Sequence, residues 1–296
     1  MVSLKAEGFK NYKPYLYILP SLILIIIIYV YPLVLNVIQS FYRFSGGRGI
    51  FVGFDNYKYL ILKDSLTRGA FLHNIQILLV IPILLVLSIF IAVLLSERIR
   101  FAKVYQALLY IPFIISIVVV GIVFSRLLRW DGIINFLLNK IGLGALIRDW
   151  LGDPKFALYS VMAVIIWREL AFGIVLFIAG IGNINQELYE ASKIDGANWW
   201  QQLFHVTIPQ LKSVISFYVI YNYMIVFAWI FTYVYVMTAG GPVNSTTILE
   251  LQIFNFAFKK NMMGMASSLA ILLFLMIFVF IYLQFRMRRA TMAESY

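Results

Sequence analysis

Arg168 and Glu169 are the residues of this 296-residue chain whose position most needs a chemical explanation. They are adjacent, and the apolar stretch from Phe156 to Gln186 holds no other charge. A charge at the centre of a bilayer costs about 2.5–3.5 kcal/mol per residue on insertion scales, so both side chains must face protein or a water-filled path. Chemistry alone leaves two interpretations open: an ion pair that fixes helix packing, or polar groups that line a solute pathway.

Motifs for catalysis and metal binding are absent from the sequence. It contains no cysteine, and its two histidines, His73 and His205, are far apart. A phosphate-binding loop of the form G-x-x-x-x-G-K-[ST] does not occur either, so the chain does not bind ATP in that manner. We therefore expect no enzyme activity and no metal or cofactor in this chain.

The composition is that of a membrane protein that crosses the bilayer several times. Hydrophobic residues make up 62% of the chain and charged residues 12%, whereas about 25% of the residues in soluble domains are charged. A spanning helix needs about 20 apolar residues, and six windows of the sequence provide them. They are Tyr15–Tyr42, His73–Ser96, Val104–Ser125, Phe156–Gly182, Ser213–Met237 and Met262–Phe285. We predict an all-α fold with six spans.

The net charge of +11 does not decide the orientation of these spans. The basic residues flank the apolar windows, which favours contact with anionic lipid headgroups over nucleic acid. With both termini inside, the inner segments carry 11 basic residues and the outer segments carry 12. The inner ones are packed into shorter segments close to the helix ends, and this arrangement favours cytoplasmic termini.

A polar stretch with helical character, Glu187–Leu211, separates the fourth and fifth windows. Asn185 is a suitable cap for a first helix, and Gly196 suits the left-handed turn that ends it. Asn198 is then placed to cap a second helix, which Pro209 is expected to close. A short amphipathic helix pair of this kind favours docking into a groove of a partner protein.

The same stretch resembles the "EAA" loop of permease subunits of binding-protein-dependent ABC importers. The resemblance rests on Glu190-Ala191-Ser192, Asp195-Gly196-Ala197, Phe204 and Ile208-Pro209, with serine in place of the second alanine. The turn Gly240-Gly241-Pro242 and the order of the outer loops resemble the carbohydrate-type permeases of this family, represented by the maltose and glycerol-phosphate importers. The likeness extends from Tyr15 to Arg289.

The resemblance implies a type I importer fold in a cell membrane, with both termini in the cytoplasm. Residues 1–14 would be a cytoplasmic N-terminus, 15–289 a six-span membrane domain with a coupling loop at 183–212, and 290–296 a cytoplasmic tail. The partners would be a second homologous permease, two ATP-binding subunits that carry ATP and Mg, and an extracellular solute-binding protein. The solute would be a carbohydrate, in particular an oligosaccharide.

Two groups of site residues follow from the resemblance. Coupling to the ATPase subunits would involve the EAA loop, namely Glu190, Ala191, Ser192, Ile194, Asp195, Gly196, Ala197, Trp200, Leu203 and Phe204. The solute pathway would involve residues of spans three, four and five, namely Phe113, Ile117, Ile165, Arg168, Glu169, Asn222, Val226 and Trp229. The charged pair departs from the maltose-type permease, which has neutral residues there, and this difference suggests a different solute.

Two alternative functions remain open at the level of the sequence. One is a permease for glycerol phosphate or a related polar solute. The other is an independent secondary transporter driven by an ion gradient, a class that often shows inverted repeats and broken helices. The sequence has no clear half-to-half repeat, and an EAA loop would serve no purpose in such a transporter.

Overall fold

The computed structural model describes residues 13–45, 48–96 and 101–293. Most of the predicted N-terminal segment and the last residues of the predicted tail therefore lie outside the described residues. Within those ranges the chain is helical except for turns, loops and one β-hairpin. The helices are α1 (Lys13–Ile25), α2 (Tyr31–Ser40), α3 (Asp55–Lys58), α4 (Ser65–Ile77), α5 (Val80–Ser96), α6 (Ala102–Ile114), α7 (Ile117–Leu127), α8 (Ile133–Lys140), α9 (Ala157–Gly182), α10 (Gln186–Ile194), α11 (Trp199–Gln202), α12 (Ile208–Gln210), α13 (Lys212–Ala228), α14 (Ile230–Met237), α15 (Leu249–Phe254) and α16 (Met263–Ala293). The hairpin pairs β1 (Tyr42–Ser45) with β2 (Arg48–Phe51).

Four helical segments are long and apolar enough to cross a membrane, and two bent helix pairs raise the number to six if each pair is one span. The four are Tyr15–Ser40, Ser65–Ser96, Ala157–Gly182 and Met263–Gln284. The two pairs are Val104–Ile114 with Ile117–Leu127, bent by 94°, and Trp199–Gln210 with Lys212–Ala228, bent by 72°. The predicted helical membrane class is confirmed.

Three predicted windows differ from the helices that form. The third is broken at Ile115 and Ser116, which have extended backbone angles. The fifth is divided into α13 and α14 at Trp229. The second begins at Ser65 rather than His73, because α4 mixes polar and apolar residues and hydropathy alone does not register its first two turns.

We predicted that Pro209 closes the second helix of the polar stretch, and this prediction is wrong. The residues Leu203–Thr207 form a wider π-helical turn, in which Ile208 N–H donates to the carbonyl of Leu203. Pro209 consequently falls in the first turn of α12, where its missing N–H costs nothing. The same arrangement, a π turn at Ile26–Val30 followed by proline, occurs in the first span. Further π turns are Tyr59–Lys63 and Asn255–Lys259, and Gly144–Leu146 forms a 3₁₀ turn.

The chain divides into two compact units, one holding the described residues up to Lys63 with Ile253–Leu275, and the other holding Asp64–Gln252 with the described residues from Met276. The predicted single membrane domain over 15–289 remains a prediction. In the second unit α9 packs against α5 and α6, and α7 packs against α14. Its core includes Val161, Phe177 and Tyr233, which are fully buried.

A buried amide fixes the loop between α14 and α15 in the second unit. Asn74 of α4 is fully buried, and its carbonyl oxygen accepts a hydrogen bond from Leu249 N–H at 2.9 Å. Its amide nitrogen donates to both carboxylate oxygens of Glu250 at 3.1 Å. His73 Nδ1 lies 2.7 Å from the carbonyl of Thr247. Two adjacent residues of α4 therefore hold the start of α15.

Glu250 makes the stability of this arrangement dependent on pH. Burial raises the pKa of Glu250 from an ordinary value of 4.5 to about 7, against a smaller lowering of the pKa by Asn74. A raised pKa in the folded state stabilises the fold below the ordinary value, and this contribution is lost as the pH rises through about 7. We expect the midpoint temperature of thermal unfolding to be lower at pH 8 than at pH 5, and we expect this decrease to be smaller in Glu250→Gln. Equal pH dependence in both proteins would contradict this role.

Candidate functional site: a charged pair at a helix break and an exposed coupling loop

Arg168 closes the break between α6 and α7. Its Nε donates to the carbonyl of Ile115 at 3.1 Å, and one terminal nitrogen donates to the carbonyl of Phe113 at 3.0 Å. These carbonyls belong to the end of α6, where no further helical turn supplies donors. Inside a membrane such groups must find partners within the protein. Arg168 of α9 therefore supplies the hydrogen bonds that the broken span lacks.

Glu169 neutralises Arg168 and is itself fully buried. Arg168 donates to Glu169 Oε1 through its other terminal nitrogen, and Tyr233 of α14 donates to the same oxygen at 3.0 Å. The other carboxylate oxygen, Oε2, is buried without a hydrogen-bond partner. Adjacent helix residues point about 100° apart, and the arginine side chain reaches across this angle. The pair thus joins α6, α9 and α14.

Aromatic rings surround the charged pair. The Arg168 guanidinium lies 5.1 Å from the centre of the Phe113 ring. Phe113 stacks on Phe172, with ring centres 5.4 Å apart, and Phe172 contacts Tyr221 at 4.3 Å. Cation–aromatic contacts of this kind strengthen when they are removed from water, so the rings help to hold the guanidinium in place.

A second polar contact lies one helical turn along α9. The hydroxyls of Ser88 and Tyr218 are 3.1 Å apart and meet directly against Gly173. A β-carbon at Gly173 would collide with both hydroxyl oxygens and lie 2.6 Å from the ring carbon that bears the tyrosine hydroxyl. Glycine is therefore needed for the close approach of α5, α9 and α13.

Gly173→Ala is expected to lower the free energy of unfolding by about 1–3 kcal/mol, since the added methyl group must displace the Ser88–Tyr218 contact. Gly182→Ala is the matched control. It is also on α9, and a β-carbon there meets nothing within 4 Å. Thermal unfolding of the purified protein measures both. Equal midpoints for the two variants would show that the contact at Gly173 does not constrain the fold.

The predicted pathway residues do not border one open cavity in this structure. Ile165, Glu169, Asn222 and Val226 are buried, with exposed fractions of 2% or less, whereas Trp229 is 52% exposed. Phe113, Ile117 and Arg168 are half-buried. A groove of about 350 Å³ beside α6 and α9 is lined by other residues, namely Leu108, Leu109, Ile111, Pro112, Trp167, Leu170, Ala171 and Ile174.

The polar stretch forms the predicted pair of capped helices. The Asn185 side chain accepts from Glu187 N–H at 3.1 Å at the start of α10. Gly196 has φ of +78° and ends that helix. Asn198 accepts from Gln201 N–H at 2.9 Å, and Gln201 Oε1 accepts from Asn198 N–H at 2.7 Å. This reciprocal capping box fixes the start of α11.

The loop presents an apolar surface that its own chain leaves uncovered. Ile194 is 87% exposed, and Trp200 and Phe204 are each more than half exposed. Leu203, which we predicted to contact a partner, is buried within the chain, so it supports the loop from beneath. The remaining predicted coupling residues are exposed (Glu190, Ala191, Asp195, Gly196) or half-buried (Ser192, Ala197).

Two contacts tie the loop together and attach it to the rest of the second unit. The Trp199 ring packs edge-on against Phe90 of α5, with centres 6.3 Å apart. The hydroxyls of Tyr189 and Thr207 are 3.0 Å apart and tie α10 to the π turn. The loop is therefore in contact with α5, which packs along α9.

Sequence reasoning missed three residues that complete the polar interior, namely Ser88, Tyr218 and Tyr233. A buried carboxylate needs hydrogen-bond donors, so the tyrosines of the fifth window were candidates. Nothing local to Tyr233 distinguishes it, because its partner lies 64 positions earlier in the chain.

Comparison with known proteins agrees with this architecture. The sequence model of the family described as "Binding-protein-dependent transport system inner membrane component" matches residues 48–291. The probable ABC transporter permease protein PH1215 of Pyrococcus horikoshii is 34% identical over 270 residues, which cover 87% of this chain and 89% of that protein. The lactose transport system permease protein LacF of Rhizobium radiobacter is 30% identical over 268 residues, with 88% and 89% covered. The structure also resembles a chain of a bacterial ABC transporter involved in the import of the acidic polysaccharide alginate, with a TM-score of 0.82, 22% identity and coverage of 95% and 98%.

Proposed function

Since the chain belongs to the family of binding-protein-dependent transport system inner membrane components, and is thus a multi-pass ABC permease subunit rather than an enzyme, we propose that it passes a carbohydrate into the cytoplasm. A solute-binding protein outside the membrane delivers the carbohydrate, in particular an oligosaccharide. A second permease of the same family completes the pathway, and two ATP-binding subunits supply the energy. The similarity to the lactose transport system permease protein LacF supports the choice of a carbohydrate.

The observation that carries this function is the exposed, rigidly capped loop from α10 to α11. The described residues leave its apolar side chains Ile194, Trp200 and Phe204 more than half exposed, as a helix that docks in a partner's groove requires. We propose that they enter a groove of the ATP-binding subunit, with Glu190 paired to a basic residue there. Loop and groove would then move together when ATP closes the two subunits.

Glu169 is the residue that we propose to contact solute hydroxyls. Its Oε2 is a buried acceptor without a partner, and an ionised carboxylate accepts hydrogen bonds strongly. Opening of the helices around α9 would bring this oxygen to the pathway, where Trp229 offers an aromatic face. Ile117, Ile165, Asn222 and Val226 are proposed to line the same path. Arg168 already uses three donors within the chain. Because these donors are not available to bind a phosphate group, we favour a neutral sugar over glycerol phosphate.

The solute class is tested by binding of a sugar panel and of glycerol phosphate to the partner binding protein. We expect an oligosaccharide to bind and to stimulate ATP hydrolysis by the reconstituted transporter. Binding of glycerol phosphate with no response to any sugar would assign the chain to the alternative solute.

The proposed orientation places both termini and the coupling loop in the cytoplasm. The natural chain has no cysteine, so single cysteines are clean probes. Val243, which is 88% exposed between α14 and α15, is expected to react as cysteine with an impermeant reagent from outside intact cells. Lys193→Cys in the coupling loop is expected to react only after permeabilisation. Reaction of Lys193→Cys from outside would reverse the proposed topology.

A further inference from the structure

At one end of the first unit, the end of the candidate span Tyr15–Ser40 meets the start of the candidate span Met263–Gln284. Ser268 of α16 donates to the carbonyl of Ser40, the last residue of α2, at 2.8 Å. Asn56 donates to the carbonyls of Ser40 and Tyr42 at 2.9 and 3.0 Å. Gly264 packs directly against the Tyr42 carbonyl, leaving no room for a β-carbon. The described residues of 41–63, which follow α2, and the segment 253–262, which precedes α16, therefore adjoin the point where these two helices meet.

The β-hairpin at this level has one aromatic face and one basic face. Tyr42 pairs with Phe51, and Arg43 pairs with Ile50. Because side chains alternate along a strand, Tyr42, Phe44 and Phe51 share one face, whereas Arg43 and Arg48 share the other with Ile50. The Tyr42 ring lies 5.5 Å from the Phe51 ring. Phe51 is nevertheless 68% exposed, whereas Tyr42 and Phe44 are half-buried, so the described residues leave this face partly open.

The surrounding surface is strongly basic and carries further exposed apolar side chains. Segments 41–63 and 253–262 hold six basic residues and one acidic residue, all exposed: Arg43, Arg48, Lys58, Lys63, Lys259 and Lys260 against Asp55. Phe54, Leu62 and Phe258 are each more than 60% exposed. Lys260 lies 4.7 Å from the centre of the Phe256 ring, so aromatic and basic groups alternate here.

We propose that this basic-aromatic rim, the described residues of 41–63 together with 253–262, binds anionic phospholipid headgroups at the membrane surface. Aromatic rings favour the boundary between acyl chains and headgroups, and each Lys or Arg near an anionic surface contributes about 1 kcal/mol. The rim is continuous with the ends of two candidate spans, which places both kinds of group at headgroup depth.

The test uses the assembled transporter in lipid nanodiscs with Ile50→Cys carrying a fluorophore. Ile50 is 58% exposed and lies between Arg43 and Arg48 on the basic face. Phosphatidylglycerol and phosphatidylcholine, each with a nitroxide near the headgroup, are added at equal mole fraction and low salt. We expect phosphatidylglycerol to quench at least about fivefold more effectively, the factor that corresponds to one charge contact. Arg43→Gln/Arg48→Gln/Lys259→Gln/Lys260→Gln should abolish the difference.

Two controls keep the result interpretable. Lys140→Gln/Lys155→Gln removes two exposed basic residues elsewhere in the chain and should leave the quenching ratio unchanged, as should the charge-conserving Arg43→Lys/Arg48→Lys. Equal quenching by the two lipids would overturn the proposal. So would shielding of the probe only after the binding protein is added, since the rim would then serve a protein partner. Neither outcome bears on the solute or on coupling.

Discussion

Arg168→Leu is expected to lower the free energy of unfolding by about 3–5 kcal/mol, because it leaves Glu169 as a buried charge without a counter-charge. It also removes the donor from the carbonyls of Phe113 and Ile115. In practice such a variant should not accumulate as assembled transporter. Thermal unfolding in detergent, followed by size-exclusion chromatography, measures the loss.

The double variant Arg168→Leu/Glu169→Gln separates the two contributions of Arg168. If the arginine only balanced the charge of Glu169, removal of both charges would restore stability. We expect partial recovery, because the carbonyls at the break between α6 and α7 still lack a donor. Arg168→Lys should be intermediate, since an ammonium group cannot bridge two carbonyls and a carboxylate as a guanidinium does. Stability equal to wild type in Arg168→Leu would contradict the capping role.

Glu169→Gln keeps the side-chain shape and an acceptor for Arg168. The half-buried arginine also retains two carbonyl acceptors, so losing the counter-charge costs less here than in Arg168→Leu, and the variant distinguishes solute binding from packing. We expect the transporter to assemble with normal basal ATP hydrolysis while solute uptake falls. Uptake equal to wild type across the sugars tested would remove Glu169 from the pathway.

Gly196→Val is expected to reduce solute-stimulated ATP hydrolysis by about tenfold or more. A residue in the left-handed region costs of order 1–3 kcal/mol when it is not glycine, and β-branched residues are the least tolerant. Gly196 has φ of +78°, so valine must change the angle between α10 and α11 and misplace the exposed side chains of the loop.

Gly142→Val is a matched control for this variant. Gly142 has φ of +79°, and a β-carbon there also meets nothing within 4 Å. The two substitutions should therefore cause similar backbone strain, but only the one at Gly196 should impair coupling. Equal loss of stimulated hydrolysis in both variants would indicate a general effect of strain rather than a role for the coupling loop.

Features that depend on neighbouring residues were predictable from the sequence. The caps at Asn185 and Asn198 and the bend at Gly196 each need only a few adjacent residues, and the structure confirms all three. The hairpin at Tyr42–Phe51 was missed, although Gly46-Gly47 between two short strand-forming runs is a known turn signature.

Features that depend on distant contacts were not predictable in the same way. The break at Ile115 and Ser116 contains neither glycine nor proline, and Pro112, three positions before Ile115, lies within α6 rather than at the break. What stabilises it is Arg168, which lies 53 positions from Ile115. The pair Arg168–Glu169 was recognised as anomalous, but the sequence left packing and solute binding open, because neither the helix break nor Tyr233 could be inferred locally.

ATP-driven uptake into proteoliposomes tests the proposed function most directly. The vesicles contain this chain with its second permease and two ATP-binding subunits, and the binding protein loaded with labelled oligosaccharide is outside. We expect accumulation only when ATP is present inside and the binding protein outside, and none with Gly196→Val. Accumulation driven by an ion gradient without ATP would contradict the account and favour a secondary transporter.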